Sequence, residues 1–186
     1  EGAFSAALRA YEFLLDTEKQ VALAAAYGYA RTLDAQLTQR NSMTEPEVRS
    51  IIDRYRQIFT DHGENPLAAE AMLRAAALYE EGLGDRDMAL DLLTRLTNQW
   101  RGTEASQEGA LRLADIYFSA NRTDAARHIL DLLIKQSNDG SEFHDLALLK
   151  RADLLLFAGH VDSAVAMYTD LMAQPGSIAA NDAIQR

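Results

Sequence analysis

The chain has 186 residues, 48% of them hydrophobic, and its 28 acidic and 18 basic side chains leave a formal charge of -10 with no cysteine. That balance argues against wrapping of nucleic acid, which needs a basic face to neutralise phosphates, and the missing cysteine excludes a disulfide framework and thiolate metal sites. Abundant Ala and Leu with only three prolines favour helix over sheet. No apolar run approaches the roughly 18 residues that span a bilayer, so no direct membrane span is expected. The opening at Glu1, without an initiator Met, reads as a processed or excised segment.

Taken in chain order, apolar periodicity predicts helices over 3–15, 18–38, 45–62, 66–82, 85–100, 104–120, 122–137, 142–158 and 161–173. Five segments share one triplet, spaced by four and then three residues: Ala7, Tyr11, Leu14; Ile51, Tyr55, Ile58; Ala89, Leu93, Leu96; Ala126, Leu130, Leu133; and Ala164, Tyr168, Leu171. That spacing puts each triplet on one stripe of a helix. Their first members lie 44, 38, 37 and 38 residues apart, the extra length falling in the polar stretch Gln39 to Thr44. A shorter pattern precedes four of them: Ala26 with Tyr29, Ala76 with Tyr79, Ala114 with Tyr117, and Ala152 with Leu155. Tyr117 and Leu155 lie nine residues before the next triplet, and Tyr79 lies ten.

Each unit is therefore a helix, a tight turn and a second helix. Gly84-Asp85, Asn121-Arg122 and Gly159-His160 supply turn residues that adopt the left-handed conformation. Gly102-Thr103, Gly140-Ser141 and Pro175-Gly176-Ser177 stop one unit and cap the next, and Thr44 with Glu47 has the form of a capping box around Pro46. Small residues such as Ala114 and Ala126 let antiparallel helices approach closely. No single hairpin buries such a stripe alone, so the pattern requires stacked neighbours.

Leu113-Ala114-x-x-Tyr117, followed by Ala126 and Leu130, resembles the tetratricopeptide pattern L-G-x-x-Y…A-x-x-x-F. The resemblance runs from Gly2 to Ser177, with departures: Ala110 and Leu148 stand where the usual Trp falls, and the units exceed the usual length. It implies an all-α fold, a right-handed solenoid of antiparallel helix pairs, occupying residues 1–186 as a single repeat domain. The longer units and the acidic or polar inter-repeat loops, such as the one from Asp61 to Ala71, are similar to tetratricopeptide domains of bacterial cell-envelope proteins. They imply a periplasmic or envelope location, with the cytoplasm as the alternative. Gly2 to Leu15 matches only the second half of a unit, and Ile178 to Arg186 the opening of another first helix. The expectation is a fragment of a longer repeat protein.

Catalytic chemistry finds little support. His128, His144 and His160 lie sixteen apart, without the second ligand at i+4 that a helical metal site uses. There is no Gly-rich phosphate loop and no G-x-S-x-G elbow. Asp85, Asp87 and Glu104 suit the positive ends of helices. No enzyme activity, cofactor or metal is expected. Trp100 reads as closing the helix begun near Asp85, the alternative being a binding anchor.

In tetratricopeptide arrays the first helices line a concave groove that holds ligands. On this resemblance the groove-facing residues are Leu111, Asp115 and Phe118, then Leu149, Asp153 and Leu156, with Lys150. The same residues could instead pack between helices. The pattern of apolar, Asp, apolar suits a peptide or protein segment with apolar anchors and a basic group. Asp115 and Asp153 stand where carboxylate-clamping members carry Asn, which argues against a C-terminal carboxylate. The expected function is a protein-interaction scaffold or adaptor. The alternatives are a self-assembly module and an accessory repeat domain of a larger enzyme. The oligomeric state stays open.

Overall fold

The computed structural model describes residues 2–17, 21–40, 43–173 and 178–185. Among them every regular element is helical: α1 (Gly2–Thr17), α2 (Ala22–Arg40), α3 (Glu45–Asp61), α4 (Pro66–Ala77), a π-turn (Leu78–Gly82), α5 (Arg86–Gln99), α6 (Glu104–Ser119), α7 (Thr123–Gln136), α8 (Glu142–Phe157), α9 (Val161–Met172) and α10 (Ile178–Gln185). The expected helices are present within a few residues at each end. The expected start at 18 and the stop at Pro175-Gly176-Ser177 lie outside the described residues, as do two positions of the Gln39–Thr44 insertion. The expected fold class, all-α helical repeats, is the one observed.

Punctuation follows local chemistry. Gly84, Asn121 and Gly159 hold φ of 65°, 58° and 81° where a first helix turns into a second. Left-handed backbone costs little for Gly and is tolerated by Asn. Gly102 and Gly140 hold φ of 81° and 73° between units. The following Thr103 and Ser141 then accept the N–H of Ser106 at 3.2 Å and of His144 at 3.4 Å, capping α6 and α8. At α3 the Glu47 carboxylate accepts from the Thr44 N–H at 3.2 Å and from the Thr44 hydroxyl at 2.6 Å. Asn65 caps α4 by accepting the Leu67 N–H at 3.0 Å.

The π-turn explains an irregularity of spacing. In unit after unit the residue following the left-handed position donates its N–H back into the first helix. Arg122 N–H reaches Tyr117 O at 2.8 Å and His160 N–H reaches Leu155 O at 2.9 Å, each spanning five residues. Asp85 N–H reaches Tyr79 O at 2.8 Å across six. Tyr79 is the repeat equivalent of Tyr117 and Leu155, and it stands ten residues, not nine, before its triplet. A π-turn holds one residue more than an α-turn, so the inserted residue is taken up inside the helix. Gly82 lies in this segment, where an added Cβ would stand 2.9 Å from Val48 Cγ1. The segment therefore packs against α3 as closely as glycine permits.

The chain forms two compact units, Glu1–Leu96 and Thr97–Arg186, dividing within α5. In the first, α1 packs on α2, α2 on α3, α3 on α4, and the first helices α2 and α4 also touch. Val48, Ile51, Ile52, Tyr55 and Ile58 bury one face of α3, while α4 buries Ala68, Ala69, Ala71, Met72 and Leu73. Each large apolar side chain so buried stabilises by about 1.5–3 kcal/mol. Helix α1 buries no residue completely, and its triplet Ala7, Tyr11, Leu14 is half-covered.

In the second unit, α6 pairs with α7 and α8 with α9, α7 packs on α8, and α10 lies against both α8 and α9. Ala114, Ala126, Leu130, Leu133, Ala147 and Leu154 form one cluster with Tyr117 packed against it. Leu149, Ala152, Ala164, Tyr168, Leu171 and Ala179 belong to the next. The buried alanines bring paired helices close, and the large members of each triplet fill the space beside them.

Candidate site on the first helices of the second unit

Residues of α6, α7 and α8 converge on one recess. Ala114 and Ala126 are small, so the surface above them is recessed, and Leu130 and Leu154 floor the recess. Asp115, Phe118, Lys150 and Asp153 form its rim. The cavity holds about 140 Å³. An apolar cavity of about 150 Å³ takes one benzene-sized group, whereas cofactor and drug pockets run to about 300–1,000 Å³. The recess has room for about one side chain.

Four of the seven residues expected in the groove thus line the cavity: Asp115, Phe118, Lys150 and Asp153. Leu156 is exposed on α8 and stands outside the lining. Leu111 and Leu149 are placed elsewhere: at 7% and 4% exposure they belong to the two core clusters and offer a ligand no side-chain surface. The reason is geometric. A first helix packs against its own second helix and also against the neighbouring helices, so it is covered over more of its circumference than one stripe.

The charges on the rim are already engaged. Lys150 Nζ donates to Asp115 Oδ1 at 2.6 Å, joining α8 to α6, and the Tyr168 hydroxyl donates to Asp153 Oδ1 at 2.7 Å. Lys150 is the last of three cations spaced by 38 residues, after Arg74 and Arg112. In the first unit Arg74 likewise reaches the preceding first helix, donating from Nε at 2.9 Å and Nη2 at 2.5 Å to Asp34 Oδ2. There the pair is internal: the Asp34 side chain is 2% exposed, against 55% for Asp115. Tyr55 adds a hydroxyl to Asp34 at 3.2 Å. Burial, then the Asp34 charge, pushes the Tyr55 phenol far up. Burial alone would lower the Arg74 pKa, but its hydrogen bond to Asp34 and the carboxylate's charge raise it.

Phe157 is a site residue that the repeat pattern passes over. Its ring meets Phe118 edge-on, with centroids 5.1 Å apart at 84°, and it is 64% exposed beside the cavity. An exposed aromatic pair of this geometry is a ready contact surface. Phe157 lies one residue beyond Leu156, the repeat equivalent of Phe118, and an aromatic ending a first helix was the available signal.

The remaining candidates have structural settings. His144 is nearly buried at the start of α8, its Nδ1 3.4 Å from Asp145 Oδ1 and its Nε2 3.5 Å from Asp139 Oδ1. His128 and His160 are exposed. Among the described residues no group of three or more His, Asp or Glu side chains is placed to hold a metal ion. No helix among them is long and apolar enough to cross a membrane. Trp100 is half-buried immediately after α5, and its carbonyl accepts the Thr103 hydroxyl at 2.8 Å.

Stacked antiparallel helix pairs with alanine-lined contacts define an all-α helical-repeat protein. The tetratricopeptide repeat model matches residues 82–149, so that stretch of the chain is similar to tetratricopeptide repeats. Solved structures share the fold. BtubC (BKLC) from P. vanneervenii has a TM-score of 0.74 at 15% identity, over 99% of this chain and 77% of that one. A putative kinesin light chain from Podosopora anserina with nearly identical TPR-like repeats has a TM-score of 0.66 at 14% identity, over 92% and 85%. The MamA protein has a TM-score of 0.65 at 16% identity, over 92% and 82%. No curated protein matches the chain in sequence. At these identities the likeness is one of fold.

Proposed function

We propose that the chain is a non-catalytic protein-binding scaffold that holds an extended or helical segment of a partner against α6 and α8. The observation that carries this reading is the one-side-chain recess beside the exposed Phe118–Phe157 pair. Repeats of this family generally mediate protein–protein interaction. An apolar anchor of the partner fills the recess, and the aromatic pair covers the residue next to it. Asp115 gives Oδ1 to Lys150, yet its side chain stays half-exposed, so a basic residue of the partner meets its other oxygen. The polar, lengthened units support an adaptor in an envelope complex. Recovery of the native protein in the cytoplasmic fraction alone would refute that location.

The test is a pull-down from native lysate with the chain and with a Phe118→Ala, Phe157→Ala variant of equal circular dichroism. Both rings are solvent-facing, so their removal leaves the core intact. Asp153 is kept, because it accepts the Tyr168 hydroxyl and its loss would disturb the fold. Proteins held by the parent and released by the variant assign the site. Retention of the same proteins by both refutes it.

A further inference from the structure

The first unit holds a second and larger cavity, of about 340 Å³, between the end of α1, the start of α2 and the end of α3. Leu15, Leu23, Ala26 and Ile58 give it an apolar floor and wall. Arg54 and Tyr29 close one side, the guanidinium carbon 4.6 Å above the ring centroid. The Tyr29 hydroxyl donates to Glu12 Oε1 at 3.1 Å, which fixes the ring and engages that carboxylate.

Arg54 differs from its neighbours on α3. Arg49 pairs with Glu45 at 2.8 Å and Arg56 with Asp53 at 2.9 Å, both within the same helix. Among the described residues Arg54 has no carboxylate partner and rests only on the Tyr29 ring. Asp61 and His62 also belong to the lining. Asp61 is seven residues further along α3, about 10 Å by helical rise, and does not pair with Arg54.

We propose that this cavity binds a medium-chain aliphatic carboxylate as a small molecule. Its head group lies on the forked donors of Arg54, and its tail lies over Leu23, Ala26 and Ile58. The volume is at the lower end of the range for small-molecule sites, and a planar guanidinium already held on an aromatic face is set to take a carboxylate through two hydrogen bonds. The site is separate from the α6–α8 recess, and the two readings stand or fall independently.

Isothermal titration of the full chain with decanoate, kept below its micellar concentration, tests the proposal. Saturable binding near one equivalent is expected, with Arg54→Gln weakening it about ten- to hundredfold, as befits loss of a charged hydrogen bond. Ala26→Leu, which fills the floor, should abolish it. Should that variant fold poorly, the exposed Arg54→Gln substitution still decides. Decanol binding as tightly as decanoate, or an affinity unchanged by Arg54→Gln, overturns the proposal. So does the absence of saturable decanoate binding. If N-acetyl-dileucine binds where decanoate does not, the occupant is a peptide terminus and the small-molecule proposal fails.

Discussion

Lys150 Nζ lies 2.6 Å from Asp115 Oδ1, tying α8 to α6 across the rim of the recess. Both side chains reach solvent, 32% and 55% exposed, so water and salt screen their attraction. The coupling energy from a double-mutant cycle of Asp115→Asn and Lys150→Met should be about 1 kcal/mol or less by thermal unfolding. A coupling of several kcal/mol would show the pair to be a structural clamp and not an open rim.

The corresponding pair of the first unit should behave otherwise. Asp34 is almost wholly buried, whereas the Arg74 side chain is one-third exposed. Arg74→Met strands a buried carboxylate and should cost about 3–5 kcal/mol in urea unfolding. Asp34→Ala leaves an arginine that can turn to water and should cost less. Tyr55→Phe removes one neutral donor and should cost about 1 kcal/mol. Equal losses for Arg74→Met and Asp34→Ala would contradict this ranking.

Two glycines make close contacts of different kinds. A Cβ at Gly82 would press on Val48, a fully buried side chain that is stiff at its first torsion. A Cβ at Gly28 would meet the ring end of Tyr11, the far end of a side chain that is only half-buried and can turn about two torsions. Gly82→Ala should therefore destabilise by about 1–3 kcal/mol, and more than Gly28→Ala. Adding Val48→Ala should relieve part of the Gly82→Ala strain, and a purely additive double variant would refute the steric account.

Glu47 offers a test by pH. The Thr44 hydroxyl first, and Arg40 next, hold its carboxyl below the ordinary value of 4.5. A lowered folded-state value means that the group stabilises the fold above pH 4.5 and that this contribution is lost as pH falls through the depressed value. In a carboxyl-carbon NMR titration, Thr44→Val should move Glu47 upward toward 4.5. An unchanged titration would remove Thr44 as the cause.

Helices were legible in the sequence because Gly84, Asn121 and Gly159 mark turns and the triplets mark buried stripes. What could not be read were relationships across helices. Asp34 and Arg74 are 40 residues apart, and no short-range spacing announces their bond. Leu111 and Leu149 share the groove pattern of Asp115 and Asp153, but the packing of several neighbours around a first helix decides which residues keep a free surface. Phe157 joins Phe118 only because the ends of α6 and α8 come side by side. The cavity under Arg54 depends on where α1 ends over α2, which periodicity does not specify.

The π-turn at Leu78–Gly82 gives the first unit a tolerance that a regular helix lacks. Removing a residue from an α-helix turns everything beyond it through about a quarter of a revolution, which would carry a buried stripe into solvent. Here the surplus residue is confined to a single widened turn, so the stripes on either side keep their bearings. Repeat length can drift by one at this point while the apolar faces before and after it remain aligned.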